Sequence, residues 1–390
     1  MESYKCPICG NTDIHSIGHL NGKPYCRRCI SFKGEEADYK PSYPKKAPIH
    51  LSYELSPEQK ELSNKLVENY KKGIDSLVFA VCGSGKTEIV LDVIKYAIEN
   101  HLKVGFSVPR RDVAKELYLR FKNIFKENIL SVVYGGHTKH LEADLICLTT
   151  HQLFRYENYF DLLIVDEIDA FPFNGNDVLL AMFNRAIKGH YILMSATPPI
   201  EVINNFKKEG KMILRLDTRF HGYPLPVPSI ETHSKIMQYF CLVRFLRGFY
   251  TQNKPVFVFT PTIDICEQTY QVLRLFFKDI KYVHSKCPDR PQRIDDFRDG
   301  KTKILVTTAV LERGVTIKNL QVIVFQADHA LYTSHALIQI SGRVGRKKDA
   351  PIGEVIFIAK RQTDEMGIAV SEIERANKSL QIMFQRHSRK

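Results

Sequence analysis

The chain has 390 residues, of which 44% are apolar and 25% are charged. This length exceeds what one hydrophobic core usually serves, so it predicts two or three domains of about 100–200 residues each and excludes a single small domain. Lysine and arginine number 56 against 43 aspartates and glutamates, which gives a formal net charge of +13. That excess favours a polyanionic partner, although it also fits a solubilising surface.

The hydropathy and cysteine patterns favour an intracellular protein. No run of 18 apolar residues is available to cross a bilayer, and residues 1–10 lack the apolar core of a secretory signal. Four of the nine cysteines form a spaced set near the N-terminus, and the other five are scattered. This distribution argues against a disulfide framework.

The spaced set consists of two CxxC pairs separated by sixteen residues: Cys6, Cys9, Cys26 and Cys29. Four thiolates at this separation can close a tetrahedron around zinc, and a segment of about 50 residues has too little core to fold without such a metal. A redox pair is the alternative for a lone CxxC. His15 and His19 lie between the pairs, and we expect them at the surface because four thiolates already satisfy the ion.

Residues 33–57 are rich in proline and charge and are predicted to be a linker.

From Ser56 onward, apolar strand-like segments alternate with helical patterns, the first helix beginning at Ser56-Pro57-Glu58-Gln59. This alternation predicts parallel sheets. The strand candidates are 76–81, 103–108, 144–149, 161–165, 190–194, 255–260, 281–285, 303–308, 321–326 and 354–359. The stretch 217–229 has three prolines and no periodicity, so a hinge is predicted there. The expected fold class is therefore α/β, with two similar parallel-sheet domains in tandem after the four-cysteine segment. The predicted boundaries are 1–50, 51–222 and 223–390.

A phosphate-binding loop is predicted between the first strand and the next helix. The loop reads Cys82-Gly83-Ser84-Gly85-Lys86-Thr87. Glycines let backbone N–H groups surround a phosphate, Lys86 supplies a positive charge to the β and γ oxygens, and Thr87 offers a hydroxyl to Mg²⁺. The strict pattern has glycine where Ala80 stands, so the strand–loop–helix context carries the assignment.

An acidic pair follows another predicted buried strand. Asp166 and Glu167 open the sequence Asp-Glu-Ile-Asp, directly after Leu162-Leu163-Ile164-Val165. We expect Asp166 to hold Mg²⁺ and Glu167 to orient and deprotonate the attacking water.

With these two motifs, residues 56–359 resemble a superfamily-two helicase or translocase, whose domains are RecA-like. Further matches in the family's order are Ser195-Ala196-Thr197, Thr307-Thr308, Glu312-Arg313-Gly314 and the run from Gln339 to Arg346. The resemblance implies a coupling role for Ser195, Thr197 and Gln339, and nucleotide contact by Gly314. It departs at Thr316, where many relatives carry a ribose-binding aspartate.

Arg343 and Arg346 are expected on a helix of the second domain. They are candidates for arginine fingers, because they can neutralise charge that develops on the γ-phosphate. Gln59 has two interpretations that stay open. It resembles the glutamine that recognises adenine in this superfamily, and it also completes an ordinary helix capping box with Ser56.

Four residues at the ends of predicted strands match the nucleic-acid motifs of the superfamily: Arg110, Thr150, Thr260 and Thr308. Groups at such positions hold phosphates of a single strand with little base recognition. They are therefore expected to contact DNA.

A narrower resemblance is to the ComFA competence family of DNA-uptake ATPases. It rests on the four-cysteine segment, the short two-domain motor, and the acidic motif extended by aromatic residues to Phe173. The resemblance implies an ATP-dependent single-stranded DNA translocase that drives DNA import during natural transformation, with ATP, Mg²⁺ and Zn²⁺ as cofactors. The implied partners are single-stranded DNA, the competence membrane channel and other late competence proteins, and self-association stays open. The implied location is the cytoplasm, at the inner face of the membrane.

Two alternatives belong to other functional classes. A primosomal-type DNA helicase also joins zinc-binding cysteines to this motor, but its cysteines interrupt the motor. A zinc-ribbon nucleic-acid module that only senses ATP would lack the catalytic carboxylate or arginines, and Glu167, Arg343 and Arg346 are all present.

Overall fold

The structure is a computed structural model that describes residues 4–40, 45–81, 83–168, 176–311 and 317–387. The chain divides into two compact units, the first from residues 1–80 and 85–216 and the second from residues 81–84 and 217–390. No helix of the described residues is both long and apolar enough to cross a membrane.

The four-cysteine segment contains one antiparallel hairpin, β1 (Ile17–Leu20) and β2 (Lys23–Cys26). Its two-residue turn, Asn21 and Gly22, has φ values of 50° and 76°. Positive φ at both central residues is what a type I′ turn requires, and asparagine followed by glycine tolerates it best. The first cysteine pair lies at a turn, and the second spans a short 3₁₀ helix, Arg27–Cys29.

The first unit is built on a seven-stranded parallel sheet in the order β5-β6-β4-β7-β8-β3-β9. Its strands are β3 (Ser76–Ala80), β4 (Val104–Val108), β5 (Leu130–Val133), β6 (Leu145–Thr149), β7 (Phe160–Asp166), β8 (Ile187–Ser195) and β9 (Met212–Leu216). Its helices are α1 (Pro57–Lys71), α2 (Lys86–Ile89), α3 (Leu91–Glu99), α4 (Arg111–Ile124), α5 (Asp177–Ala186) and α6 (Ile200–Lys208), with a 3₁₀ helix at Thr150–Arg155. The central strands are apolar on both faces because helices cover each side.

The second unit is built on a six-stranded parallel sheet in the order β10-β15-β14-β11-β13-β12. Its strands are β10 (Ser229–Thr232), β11 (Val256–Phe259), β12 (Ile280–Val283), β13 (Ile304–Thr307), β14 (Gln321–Phe325) and β15 (Val355–Ala359). Its helices are α7 (Lys235–Thr251), α8 (Ile263–Leu273), α9 (Arg290–Arg298), α10 (Ser334–Ser341) and α11 (Asp364–His387). The predicted α/β fold class, with two tandem RecA-like domains, is confirmed.

Three strands were absent from the sequence prediction, and all three are short strands at or beside a sheet edge. β5 and β9 lie at the two edges of the first sheet, and β10 lies at an edge of the second. β5 alternates between half-buried and buried residues, β9 buries Leu214 and Leu216, and β10 buries none of its residues, so none of the three is buried along its whole length. Edge strands need only one apolar face, so the buried-strand pattern that identified the central strands does not detect them.

Within the first unit, the cysteine segment packs against the part that is built on the parallel sheet. Three of its buried cysteines belong to the same apolar cluster as residues of that part, and the centroid of the Phe32 ring lies 5.9 Å from that of Phe154. Ala37 forms a β-bridge to Tyr156, and its N–H donates to the Arg155 carbonyl at 2.8 Å. The predicted linker is therefore held, at Ala37, by backbone contacts with the segment Arg155–Tyr156 of the same unit.

Candidate nucleotide and nucleic-acid site

The phosphate-binding loop connects β3 to α2. Gly83 and Gly85 both have φ of 81°, which strongly favours glycine, and the Gly85 carbonyl accepts from the Glu88 N–H at 3.1 Å. A Cβ atom on Gly85 would lie 2.3 Å from Gln59 Nε2. Position 85 therefore needs glycine for both conformation and space. Cys82, predicted as a member of the loop, lies outside the described residues.

Lys86 and Asp166 come together at the carboxyl edge of the first sheet. Lys86 Nζ lies 3.4 Å from Asp166 Oδ1, and both side chains are largely buried. Burial raises the pKa of the Asp166 carboxyl, and the Lys86 charge opposes that rise. Thr87 follows Lys86 in α2 and is half-buried. The site thus combines a lysine, a carboxylate and a hydroxyl, which are the groups that bind a nucleotide phosphate and Mg²⁺.

Glu167 adopts a left-handed backbone conformation with φ of 60°. Its N–H donates to Asp166 Oδ1 at 2.8 Å, and the next N–H, of Ile168, donates to the Met194 carbonyl at 3.3 Å. Such a φ costs about 1–3 kcal/mol for a residue with a side chain, and conformations of this kind concentrate at functional sites. The rest of the acidic motif, from Asp169 to Phe173, lies outside the described residues.

Ser195 and Thr197 are predicted to couple ATP hydrolysis to movement. Ser195 is the last residue of β8, and Thr197 follows two positions later. This strand lies between β7 and β3 in the sheet, so the pair ends beside both the acidic pair and the phosphate loop. Both side chains are buried, and the Thr197 N–H donates to Ser195 Oγ at 2.9 Å.

Gln59 makes both hydrogen bonds of a capping box. The Ser56 N–H donates to Gln59 Oε1 at 2.9 Å, and the Gln59 N–H donates to Ser56 Oγ at 3.2 Å. The same side chain turns its Nε2 toward Gly85. The capping interpretation is therefore present in the structure, and adenine recognition by Gln59 stays a prediction.

The four predicted DNA-binding residues follow neighbouring strands within each sheet. Arg110 and Thr150 come after the adjacent strands β4 and β6, and Thr260 and Thr308 come after the adjacent strands β11 and β13. The Thr150 hydroxyl lies 3.2 Å from Ser107 Oγ, and the Thr260 hydroxyl donates to the Thr307 carbonyl at 3.1 Å. Both of these threonines are buried, whereas Arg110 and Thr308 are half-exposed. Their DNA contacts stay predictions.

The predicted arginine fingers lie just after α10 and not on the helix as the sequence predicted, because α10 ends at Ser341 with Gly342 as its C-cap. Arg343 is buried, whereas Arg346 is half-exposed and donates from Nε to the Gly342 carbonyl at 3.0 Å. Gly345 has φ of 67°, and a Cβ atom there would lie 2.2 Å from the Pro351 carbonyl oxygen. This glycine therefore permits the close backbone approach that shapes the turn. Gln339 lies buried within α10, and Gly314 lies outside the described residues.

Two residues of the predicted hinge support this turn and were not singled out from the sequence. Arg219 is buried and donates to the carbonyls of Gly345 at 3.0 Å and Gly342 at 3.5 Å. His221 Nε2 lies 2.8 Å from the same Gly345 carbonyl. Burial lowers the His221 pKa, which favours the neutral ring. Both residues lie in a segment without periodicity, so only the tertiary structure reveals their contacts with the turn.

A second unpredicted feature is the buried carboxylate of Glu88, one turn after Gly85. Its side chain accepts from the Tyr53 hydroxyl at 2.5 Å and forms an ion pair with Arg120. This network connects the first turn of α2 to α4 and to the segment before α1. The available signal was a glutamate inside the otherwise apolar run that follows Thr87.

The four cysteines of the N-terminal segment form a set suited to zinc. Their sulfur atoms all lie within 4.8 Å of one another, and Cys9 Sγ is 3.8 Å from Cys26 Sγ. Sulfur atoms about 2.3 Å from a tetrahedral ion are separated by about 3.8 Å, so the spacing fits a four-thiolate zinc site. Burial and the neighbouring thiols raise the pKa of Cys29, as expected for thiolates crowded without a cation. His15 and His19 are exposed, as predicted.

Replacing Gly85 by alanine is expected to lower ATP affinity about tenfold or more, because the new Cβ atom would displace Gln59 or the loop. Gly136→Ala is the matched control, since Gly136 has φ of 82° with nothing within 4 Å of its Cβ position. Titration with a fluorescent ATP analogue measures both variants. Equal losses of ATP affinity in the two variants would assign the effect to backbone strain and contradict a clash between the new Cβ atom and Gln59.

Zinc is expected to stay bound to the purified chain at about one ion per chain, and Cys9→Ser is expected to remove it and loosen the N-terminal segment. His19→Ala is the control, and it should retain the metal. Elemental analysis and limited proteolysis near residue 37 report the two effects. A Cys9→Ser protein with the same zinc content per chain as the parent protein would refute the four-thiolate site.

Comparison with known proteins agrees with this geometry. Residues 52–200 match the family described as type III restriction enzyme, res subunit, and residues 237–348 match the helicase conserved C-terminal domain. The fold resembles S. cerevisiae Dbp5 bound to RNA and ADP BeF3, with a TM-score of 0.61 and 17% identity over 83% of this chain and 91% of that one. The chain is 34% identical to the competence protein ComFA of Bacillus subtilis (strain 168), over 96% of this chain and 86% of the relative.

It is also 34% identical to the competence protein ComFA of Streptococcus pneumoniae (strain ATCC BAA-255 / R6), over 96% of this chain and 90% of the relative. At this coverage the alignments span both parallel-sheet units. The chain therefore belongs to the ComFA family of superfamily-two, ATP-hydrolysing, helicase-type enzymes.

Proposed function

We propose that this chain is an ATP-dependent single-stranded DNA translocase that drives DNA import during natural transformation. One observation carries the proposal: the phosphate loop meets an acidic strand end in a chain that aligns over 96% of its length with two competence proteins. The first part supports ATP hydrolysis, and the names of the relatives support the biological setting.

In the proposed reaction, Lys86 binds the β and γ phosphate oxygens of ATP. Thr87 and Asp166 would hold Mg²⁺, which neutralises charge on the transferring phosphoryl group when it is bound. Glu167 orients the attacking water and accepts its proton, and its fixed backbone limits where the carboxylate can reach. Arg346 supplies positive charge to the γ-phosphate in the transition state, with Arg343 as a second candidate for that role.

In the proposed DNA path, phosphates lie along the strand ends that carry Arg110, Thr150, Thr260 and Thr308. Because the hydroxyls of Thr150 and Thr260 already contact the protein, backbone N–H groups at those loops are the better phosphate donors. The net charge of +13 favours association with the polymer.

The proposed setting follows the competence proteins to which the chain is similar. The chain would act at the inner face of the membrane, with the competence channel and other late competence proteins as partners. A replication-restart helicase, the leading alternative from the sequence, would show a different polymer preference.

ATP turnover is expected to rise severalfold with single-stranded DNA and much less with duplex DNA or RNA, because the strand-end groups contact one backbone. Phosphate release measured with each polymer at one stated salt concentration tests this. Lys86→Ala is the control, and it should abolish turnover while retaining part of the DNA binding. Stimulation mainly by forked duplexes would favour restart, and a Lys86→Ala protein with normal turnover would remove the phosphate-loop assignment.

Arg346→Ala is expected to lower kcat by about 10³-fold or more with little change in ATP affinity, because a finger acts mainly on the transition state. Single-turnover hydrolysis and nucleotide titration separate the two quantities. Lys347→Ala is the neighbouring control, and it should leave kcat nearly unchanged. A loss confined to affinity would contradict the finger role.

A further inference from the structure

A second group of metal-binding side chains lies in the second unit, at the edge of its sheet. Glu231 lies in the edge strand β10, His233 follows two residues later, and Cys241 lies in α7. Among the described residues, this group and the four N-terminal cysteines are the two sets whose ligand atoms come together. None of the motifs used in the proposed reaction includes these three residues.

The spacing of the three ligand atoms suits a small divalent ion. All three lie within 4.8 Å of one another, and Glu231 Oε2 is 3.3 Å from His233 Nε2. Oxygen and nitrogen ligands about 2.0–2.2 Å from a tetrahedral ion are separated by about 3.3–3.6 Å. The Glu231–His233 distance is therefore already that of two ligands of one ion.

The backbone holds these ligands in place before any ion arrives. The His233 N–H extends the parallel ladder by donating to the Ala359 carbonyl at 2.9 Å, and the His233 carbonyl accepts from Gln238 Nε2 at 3.0 Å. Glu231 and His233 are two positions apart in extended chain, with Thr232 between them, so their side chains share one face of the sheet. Cys241 approaches from α7 and is buried among apolar residues of the second unit.

The surrounding charges leave room for a cation. Arg244 Nη2 lies 3.8 Å from Glu231 Oε1, and 68% of the Arg244 side chain is exposed, so it can move into solvent when an ion binds. An ion would replace the partial charge compensation that Arg244 gives to Glu231.

The donor set identifies the class of ion. One thiolate, one imidazole and one carboxylate are ligands of Zn²⁺ and related borderline transition metals, whereas Ca²⁺ and Mg²⁺ prefer oxygen alone. Three protein ligands leave one position for water, as in zinc sites that are not purely structural.

We propose that Glu231, His233 and Cys241 bind one divalent transition-metal ion of the zinc class, which joins the edge strand β10 to α7. The site is separate from the four-thiolate site in the first unit, and it goes beyond ATP-driven DNA transport.

Cobalt titration of the full chain, loaded with zinc at its N-terminal site, tests the proposal. Co²⁺ bound to a thiolate gives a charge-transfer band in the near ultraviolet and d–d bands in the visible. We expect one further equivalent of Co²⁺ to bind with both bands, while elemental analysis shows that the N-terminal zinc is retained. Cys241→Ser is expected to remove the charge-transfer band, and His233→Gln to weaken Co²⁺ binding about tenfold or more.

Cys287→Ser is the matched control. Cys287 lies near His284 and Glu267 in the same unit, and those three residues do not meet as one ligand set among the described residues. Its Co²⁺ binding should equal that of the parent chain. Because Cys241 is buried and its replacement can unfold the unit, circular dichroism accompanies each titration, and the half-exposed His233 provides an independent test.

The proposal is overturned if the zinc-loaded chain takes up no further Co²⁺, if His233→Gln binds as tightly as the parent chain, or if Cys287→Ser removes the band.

Discussion

The parallel arrangement of the first sheet is the constraint on which the candidate site depends. All seven strands run in one direction, so every loop that follows a strand emerges at the same edge. Lys86 after β3, Asp166 at the end of β7 and Ser195 at the end of β8 meet there although they are far apart in the chain. The 3.4 Å contact between Lys86 and Asp166 is the direct result of strand order β7-β8-β3.

The same strand order separates two kinds of chemistry. The residues proposed to bind the nucleotide lie at or after the ends of β7, β8 and β3, and those predicted to contact DNA follow the neighbouring strands β4 and β6. In the second sheet, β11 and β13 bring Thr260 and Thr308 to neighbouring positions. A parallel sheet can therefore place ATP chemistry and polymer contacts on one edge without mixing their residues.

The sequence was sufficient for features that depend on local pattern. Continuous apolar runs identified the central strands, and the glycines of the phosphate loop identified its backbone requirement, which Gly85 shows most clearly. Contacts between distant segments could not be predicted in this way. Arg219 supports the turn at Gly345 from a segment without periodicity, and Glu88 takes its partners from two other elements. Cys241 was one of several scattered cysteines until the fold placed it beside Glu231 and His233.

The 3₁₀ helix Thr150–Arg155 has two neighbours that the sequence treats as unrelated. Its first residue follows β6, and further along it His151 stacks on Phe32 of the cysteine segment with ring centroids 6.2 Å apart. Gly34 lies so near Arg155 that a Cβ atom there would be 2.4 Å from the guanidinium. This short helix therefore contacts both the cysteine segment and the end of β6, so a shift of one would be transmitted to the other. If the four cysteines hold zinc, its loss would loosen the support of the loop that begins with Thr150, a residue proposed to contact DNA.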